Sequence, residues 1–137
     1  MISDFGKEFI PFRQTRYSAG YDFYCPCDID MHPFNVYNID TGIHLEDGDL
    51  KNYECMELSA RSSMRAKYGM QIVGLIDSDY RDSIHALVIV LADCHLNKGE
   101  RFMQGKIGPF GIIPNEIAPT KERNGGIGST DNLINHS

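Results

Sequence analysis

The stretch Ile39-Asp40-Thr41-Gly42-Ile43-His44-Leu45 sets Ile39, Ile43 and Leu45 in alternation with Asp40, Gly42 and His44. That period of two is how side chains are disposed on a half-buried β-strand. A second stretch, Ala86-Leu87-Val88-Ile89-Val90-Leu91-Ala92, is apolar throughout and predicts a fully buried strand. Working outward, further short strands are predicted at Tyr21 to Cys25, Tyr53 to Leu58, Met70 to Ile76 and Phe102 to Ile107. They are separated by turn-forming pairs such as His32-Pro33, Asp47-Gly48 and Lys98-Gly99. Many short strands point to an all-β sandwich, barrel or jelly roll.

Only one stretch reads as helical. Ser62 or Ser63 can cap it, Met64 to Tyr68 makes about one turn, and Gly69 can stop it. From Lys121 to Ser137 the chain is rich in Gly, Asn and Ser and has no periodic apolar face. Taken alone it reads as a frayed terminus, so residues 1–120 are expected to form the β domain and 121–137 an arm.

The 137 residues suit one domain, and 42% hydrophobic with 23% charged residues are ordinary globular values. A net charge of −6 argues against a general nucleic-acid binder, whose polyphosphate partner would meet a repulsive field. A phosphate ligand must therefore find local positive charge. Three places offer it: Arg61 with Arg65 and Lys67, Arg101 with Lys106, and Lys121 with Arg123. Taken singly, each reads first as solvated surface charge. The run from Ala86 to Ala92 falls far short of the roughly 18 to 20 residues of a membrane span, and no secretory signal pattern opens the chain. Cys25, Cys27, Cys55 and Cys94 lack CxxC spacing, so reduced, structural thiols in a cytoplasm are expected.

Three constellations could carry chemistry. Arg61-Ser62-Ser63 would bring a guanidinium, two hydroxyls and unpaired helical N–H groups onto one anion; the alternative is a capping pair beside a surface arginine. Asp77 and Asp79, one residue apart in extended chain, would point to the same side, and mutual repulsion would raise the proton affinity of one, suiting it as a general base. A solvated turn through Ser78 and Arg81 is the alternative. Gly125-Gly126-Ile127-Gly128-Ser129-Thr130 could wrap a phosphate chain with backbone N–H groups, yet it lacks the lysine and the strand-to-helix context of a Walker loop.

Taken in order, these pieces resemble the five motifs of the trimeric dUTPases, from Ala19 to Thr130. Ala19-Gly20-Tyr21-Asp22 resembles the first motif, Ala60-Arg61-Ser62-Ser63-Met64 the second, and Gly74-Leu75-Ile76-Asp77-Ser78-Asp79-Tyr80-Arg81 the third. Gly99-Glu100-Arg101 through Gln104 resembles the fourth, and Arg123 with Gly125 to Thr130 the fifth; Thr41-Gly42-Ile43 also sits where the family often has such a tripeptide. The resemblance implies a β jelly-roll homotrimer with one short helix. Three active sites would each be assembled from all three chains and closed by a flexible C-terminal arm. It implies hydrolysis of dUTP to dUMP and pyrophosphate with Mg2+, Asp77 activating a water for attack on the α-phosphorus. Asp22 would hold the metal through water. Arg61, Ser62, Ser63 and Gln104 would meet the phosphate chain, with Arg123, Gly126, Ile127, Ser129 and Thr130 closing over substrate from the arm. Tyr80 would lie against the sugar and exclude a 2′-hydroxyl.

The sequence departs from the family pattern where the base is gripped. Arg61 to Asp77 is a few residues short, in the hairpin that normally holds uracil, and Gln71 is the nearest counterpart of the usual Asn; its amide can pair with a pyrimidine edge. Ile127 stands where an aromatic usually stacks on the base. Ser63, Asp82 and Asp131 each replace a common Gly. Other readings are a pyrophosphatase for dCTP or a modified pyrimidine nucleotide, a nucleotide-gated protein that engages a regulatory partner, and dCTP deaminase. Deamination in that related family needs a Glu where Ala86 to Ala92 contains no acid. A compact, divergent copy of this kind suits a phage, which would place it in a host cytoplasm.

Overall fold

The computed structural model describes residues 1 to 123. Among them the chain forms strands β1 (Ile2–Ser3), β2 (Gly20–Tyr24), β3 (Ile29–Met31), β4 (Tyr37–Asp40), β5 (Ile43–His44), β6 (Glu54–Ala60), β7 (Gln71–Asp77), β8 (His85–Ile89), β9 (Cys94–Leu96) and β10 (Arg101–Pro109). One helix, α1 (Ser62–Tyr68), and a 3-10 turn (Lys7–Phe9) complete the set. Six strands make one sheet in the order β2-β10-β6-β7-β8-β4, beside the two-stranded pairs β1-β5 and β3-β9. Every pairing is antiparallel. This is the all-β, jelly-roll-like architecture expected, with its one short helix.

Strand β6 shows why the sheet has an inner and an outer face. Met56, Leu58 and Ala60 are buried, whereas Glu57 and Ser59 between them point away from the core. Ile72, Ala86, Val88, Phe23 and Phe102 join them inside. Each large side chain so buried stabilises the fold by roughly 1.5 to 3 kcal/mol relative to exposure. No helix among the described residues is long and apolar enough to cross a membrane. All four cysteines are free thiols, Cys25, Cys55 and Cys94 buried and Cys27 exposed; burial pushes the Cys25 thiol up to about 11.

Several expectations need correction. The alternating stretch Ile39 to Leu45 is broken into β4 and β5, because Gly42 takes a positive φ of 67° and its N–H donates to Asp40 Oδ1 at 2.9 Å. Thr41 is instead tied sideways, its hydroxyl donating to the Ile84 carbonyl at 2.6 Å, while Ile84 N–H donates to the Ile43 carbonyl at 2.8 Å. The run Ala86 to Ala92 is buried on one face only within this chain. Ala86, Val88 and Val90 are fully enclosed, but Leu87 and Leu91 are 49% and 55% exposed because no layer covers the outer face.

The helix starts one step earlier than its serines suggest. Arg61 is the N-cap, neither serine makes a capping bond, and Gly69 ends the helix in the left-handed conformation at φ 61°. The short strands β1, β3 and β9 leave no signal in the sequence. Two or three residues carry no readable period, and each strand exists only through a distant partner, as in Ile29 opposite Leu96.

One junction has a definite pH signature. His44 at the end of β5 has Nδ1 at 2.7 Å from the Arg81 carbonyl and Nε2 at 2.7 Å from Asp4 Oδ2. An ionised carboxylate and a carbonyl only accept, so both ring nitrogens must donate, which selects the imidazolium. The bond to the Arg81 carbonyl first, then the bond to Asp4, raise the His44 pKa above its ordinary value. A raised folded-state pKa contributes stability that is full below the unfolded value of about 6.5 and is lost as pH rises through the folded value. The melting-temperature gap between wild type and His44→Gln should therefore be full below about pH 6.5 and narrow as pH rises above it. A gap independent of pH would mean that the ring is held neutral.

Candidate active site

The outer face of the sheet carries polar groups where β2, β10 and β6 lie side by side. The register sets Gln104 opposite Asp22 on one side and opposite Ser59 on the other. Opposed residues in antiparallel strands share a face, so the three form one row across the sheet. Arg61 leaves the end of β6, Ser62 opens α1 and Arg101 begins β10, so all three arrive at the rim of the same open pocket, about 450 Å³ in volume.

The Asp22 carboxylate is the electrostatic anchor of this pocket. Its residue is only 7% exposed, with Oδ1 at 3.6 Å from Arg61 Nε and Oδ2 at 3.5 Å from Arg101 Nη1. A carboxylate so enclosed needs such partners, since an isolated buried charge is costly. The two guanidinium groups are thereby fixed at the pocket rim together with the Ser62 hydroxyl and the Gln104 amide. Such a set of cationic and neutral donors suits a polyphosphate. Ser63 is exposed and does not line the pocket.

Asp77 lies elsewhere in the same chain. In the β6-β7 register it faces Cys55, six residues along β6 from Arg61, a separation of about 20 Å at ~3.3 Å per residue. Around it the third-motif residues form their own cluster. Arg123 spans the carboxylates, contacting Asp77 Oδ2 through Nη2 and donating from Nε to Asp79 Oδ1 at 3.0 Å, and its guanidinium stands 5.6 Å from the Tyr80 ring centre. The two carboxylates thus share a counter-cation, which the sequence reading of a bare acidic pair did not include. Tyr80 is 7% exposed and donates its hydroxyl to the Ser83 carbonyl at 2.8 Å. Burial first, then the Asp82 charge, raise its pKa.

Gln71 sits at the opposite end of β7 from Asp77, exposed, its amide 3.4 Å from the Gly69 carbonyl. It borders a shallow apolar cleft with Val36, Val73, Leu87 and Ile89. Only Gly69 and Met70 separate α1 from β7, so no hairpin stands between Arg61 and Asp77. Gly126, Ile127, Ser129 and Thr130 lie outside the described residues.

The pocket also includes Gln14 and Ser18, which no sequence signal marked. They are brought there by a backbone bridge, Phe12 and Asp22 exchanging N–H to carbonyl bonds at 3.2 and 2.9 Å. Isolated polar residues in a loop have no periodicity to betray such a contact. Among the described residues no group of three or more His, Cys, Asp or Glu side chains could hold a metal ion.

Comparison with known proteins gives a consistent family. The dUTPase family model matches residues 7–130. The chain is 36% identical over 139 residues to the deoxyuridine 5'-triphosphate nucleotidohydrolase of fowlpox virus, covering 94% of this chain and 92% of that protein. It is 33% identical over 131 residues to the protein of the same name from Hydrogenobaculum, covering 88% and 89%. Among solved structures, the dUTPase of Streptococcus mutans is similar with a TM-score of 0.65 at 26% identity, over 84% of this chain and 97% of that one. A mutant dUTPase of Staphylococcus bacteriophage 80alpha with dUpNHpp shares the fold with a TM-score of 0.70 at 18% identity, over 90% of each chain.

Gly20 provides a test of the pocket's shape. A Cβ there would sit 3.0 Å from Gln104 Oε1 and 3.2 Å from its Cβ, so Gly20→Val must displace the amide. Calorimetric titration with pyrophosphate should show affinity reduced about three- to tenfold, the worth of one hydrogen bond, with melting little changed. Unaltered affinity would remove Gln104 from the set of anion donors.

Proposed function

The chain belongs to the dUTPase family, and on that premise we propose that it hydrolyses dUTP to dUMP and pyrophosphate. The observation that carries this reading is the outer-face pocket, where the Asp22 carboxylate holds Arg61 and Arg101 beside Ser62 and Gln104. In this reading Arg61, Ser62 and Gln104 take the phosphate chain, neutralising charge and fixing the α-phosphorus for attack in line. Asp77 accepts a proton from the attacking water as the new oxygen-to-phosphorus bond forms. The bond from the α-phosphorus to the bridging oxygen breaks, and pyrophosphate leaves with the electron pair. Tyr80 packs against deoxyribose and rejects the 2′-hydroxyl.

A site with its phosphate donors and its base about 20 Å apart in one chain is complete only between copies. A homotrimer supplies this, the Asp77 cluster of one protomer meeting the pocket of another and the 121–137 arm closing over both. The exposed aliphatic side chains support such burial. Val73 is 87% and Leu75 63% exposed on the outer face of β7, continuous with the exposed Leu87 on β8. Ile112, Ile113 and Ile117 are exposed as well, in the segment before the arm. Arg123 would move from the two carboxylates to the substrate phosphates, with Gly126, Ile127, Ser129 and Thr130 beside it.

The residues fit Mg2+ in one way. A single carboxylate already engaged by two arginines cannot make a protein cage, but it can hold waters of an ion carried on the triphosphate, the usual manner for Mg2+ at phosphate sites. Asp22 is the residue for that role, and the bound ion would neutralise part of the triphosphate charge. Four free thiols suit a reducing cytoplasm.

Base choice is where a second reading has support. With only Gly69 and Met70 between α1 and β7, and Gln71 at the start of the strand, a related pyrimidine deoxynucleotide such as dCTP remains a candidate substrate. Purified protein with Mg2+ should release pyrophosphate from dUTP faster than from dCTP, dTTP or UTP. Asp77→Asn should lower turnover on dUTP by about 10² to 10⁴ while leaving nucleotide affinity within a few-fold, since only the general base is lost. Full activity in that variant would place the base elsewhere. Preference for another nucleotide would reassign the substrate.

A further inference from the structure

The pocket extends past Gln104 along β10 to Lys106, which lines the same pocket two residues on. In the register Lys106 faces Gly20 on β2 and Glu57 on β6, so it has no side chain opposite it on one side and a carboxylate across the other. A cross-strand Lys-Glu pair would ordinarily close into an ion pair. It does not here: among the described residues the Lys106 side chain makes no ion pair or hydrogen bond. Arg61 and Arg101 are both committed to Asp22. The charged residues lining the pocket are Arg61, Arg101 and Lys106 against Asp22 and Glu57, so the excess of one positive charge is owed to Lys106.

We propose that Lys106 is a substrate-binding residue whose uncommitted ammonium contacts the phosphate chain of the nucleotide. This rests on the reading of the pocket as a triphosphate site. Same-face residues two apart on a strand lie about 6.4 to 6.8 Å from each other. The lysine stem can therefore carry its ammonium towards Gln104, whose side chain lies over Gly20. A long, flexible, point-charge donor suits a multiply charged chain whose oxygens have no single fixed orientation. The ammonium meets the same phosphates in substrate and transition state, so it contributes uniform binding, read in KM and not in kcat.

The experiment compares wild type with Lys106→Met, which keeps an apolar stem, and Lys106→Arg, which restores charge. Steady-state hydrolysis of dUTP is paired with calorimetric binding of inorganic pyrophosphate, at low and high salt. Lys106→Met should raise KM for dUTP about five- to tenfold with kcat within twofold, and weaken pyrophosphate binding by a similar factor. Lys106→Arg should recover most of both, and the deficit should shrink as salt screens an exposed charge. A KM and pyrophosphate affinity unchanged in Lys106→Met, with wild type active, would overturn the proposal while leaving the family reading intact. A wild type that binds pyrophosphate through Lys106 but hydrolyses no dUTP would instead sink the proposed reaction and keep the anion contact. A fall in kcat at constant KM would also overturn the binding role. Unchanged melting temperature in both variants excludes a folding defect as the cause.

Discussion

Strand β6 is hydrogen-bonded on both edges, and the period of two along it constrains everything else in the site. Its even-numbered side chains, Met56, Leu58 and Ala60, are taken by the core, so Glu57 and Ser59 must face outward. Pairing with β10 then brings Gln104 to Ser59, and pairing with β7 brings Asp77 to Cys55. A slip of one residue in either register would turn every polar group on that strand inward. The distance between the Arg61-Arg101 pocket and Asp77 is therefore a consequence of sheet geometry.

Electrostatics works locally against the overall charge. The chain carries −6 in total, yet Asp22 gathers Arg61 and Arg101 at one rim and leaves room for further cationic donors. The Asp77-Asp79 pair, which would otherwise repel itself, has Arg123 between its carboxylates. Both clusters use arginine to stabilise carboxylates that a triphosphate would compete with. In each, the planar guanidinium can redirect one N–H group without abandoning the rest.

The edges of the structure explain what sequence patterning missed. Gly42 breaks the strand where alternation alone predicts an unbroken one; its positive φ, and a Cβ position 2.5 Å from the Phe5 ring, exclude most side chains there. Ser62 and Ser63 have the composition of helix caps, but the turn begins on Arg61, whose backbone carbonyl starts the helical ladder. Leu87 and Leu91 read as core residues because the run is apolar throughout, yet they stand exposed while Ala86, Val88 and Val90 take the buried side.

By itself the sequence determined the strand-rich class, the single short helix and its glycine stop, and the ordered motifs that mark the family. These depend on local period, backbone permissiveness and spacing, all of which are written in adjacent residues. Tertiary structure alone decided that Gln14 and Ser18 join the pocket, that the Lys106 side chain faces it without a partner among the described residues, that Arg123 rests on Asp77 and Asp79, and that Arg61 and Asp77 stand far apart. Each of those facts depends on which strand pairs with which and in what register. Such choices are made by long-range burial and hydrogen bonding, which no local pattern encodes.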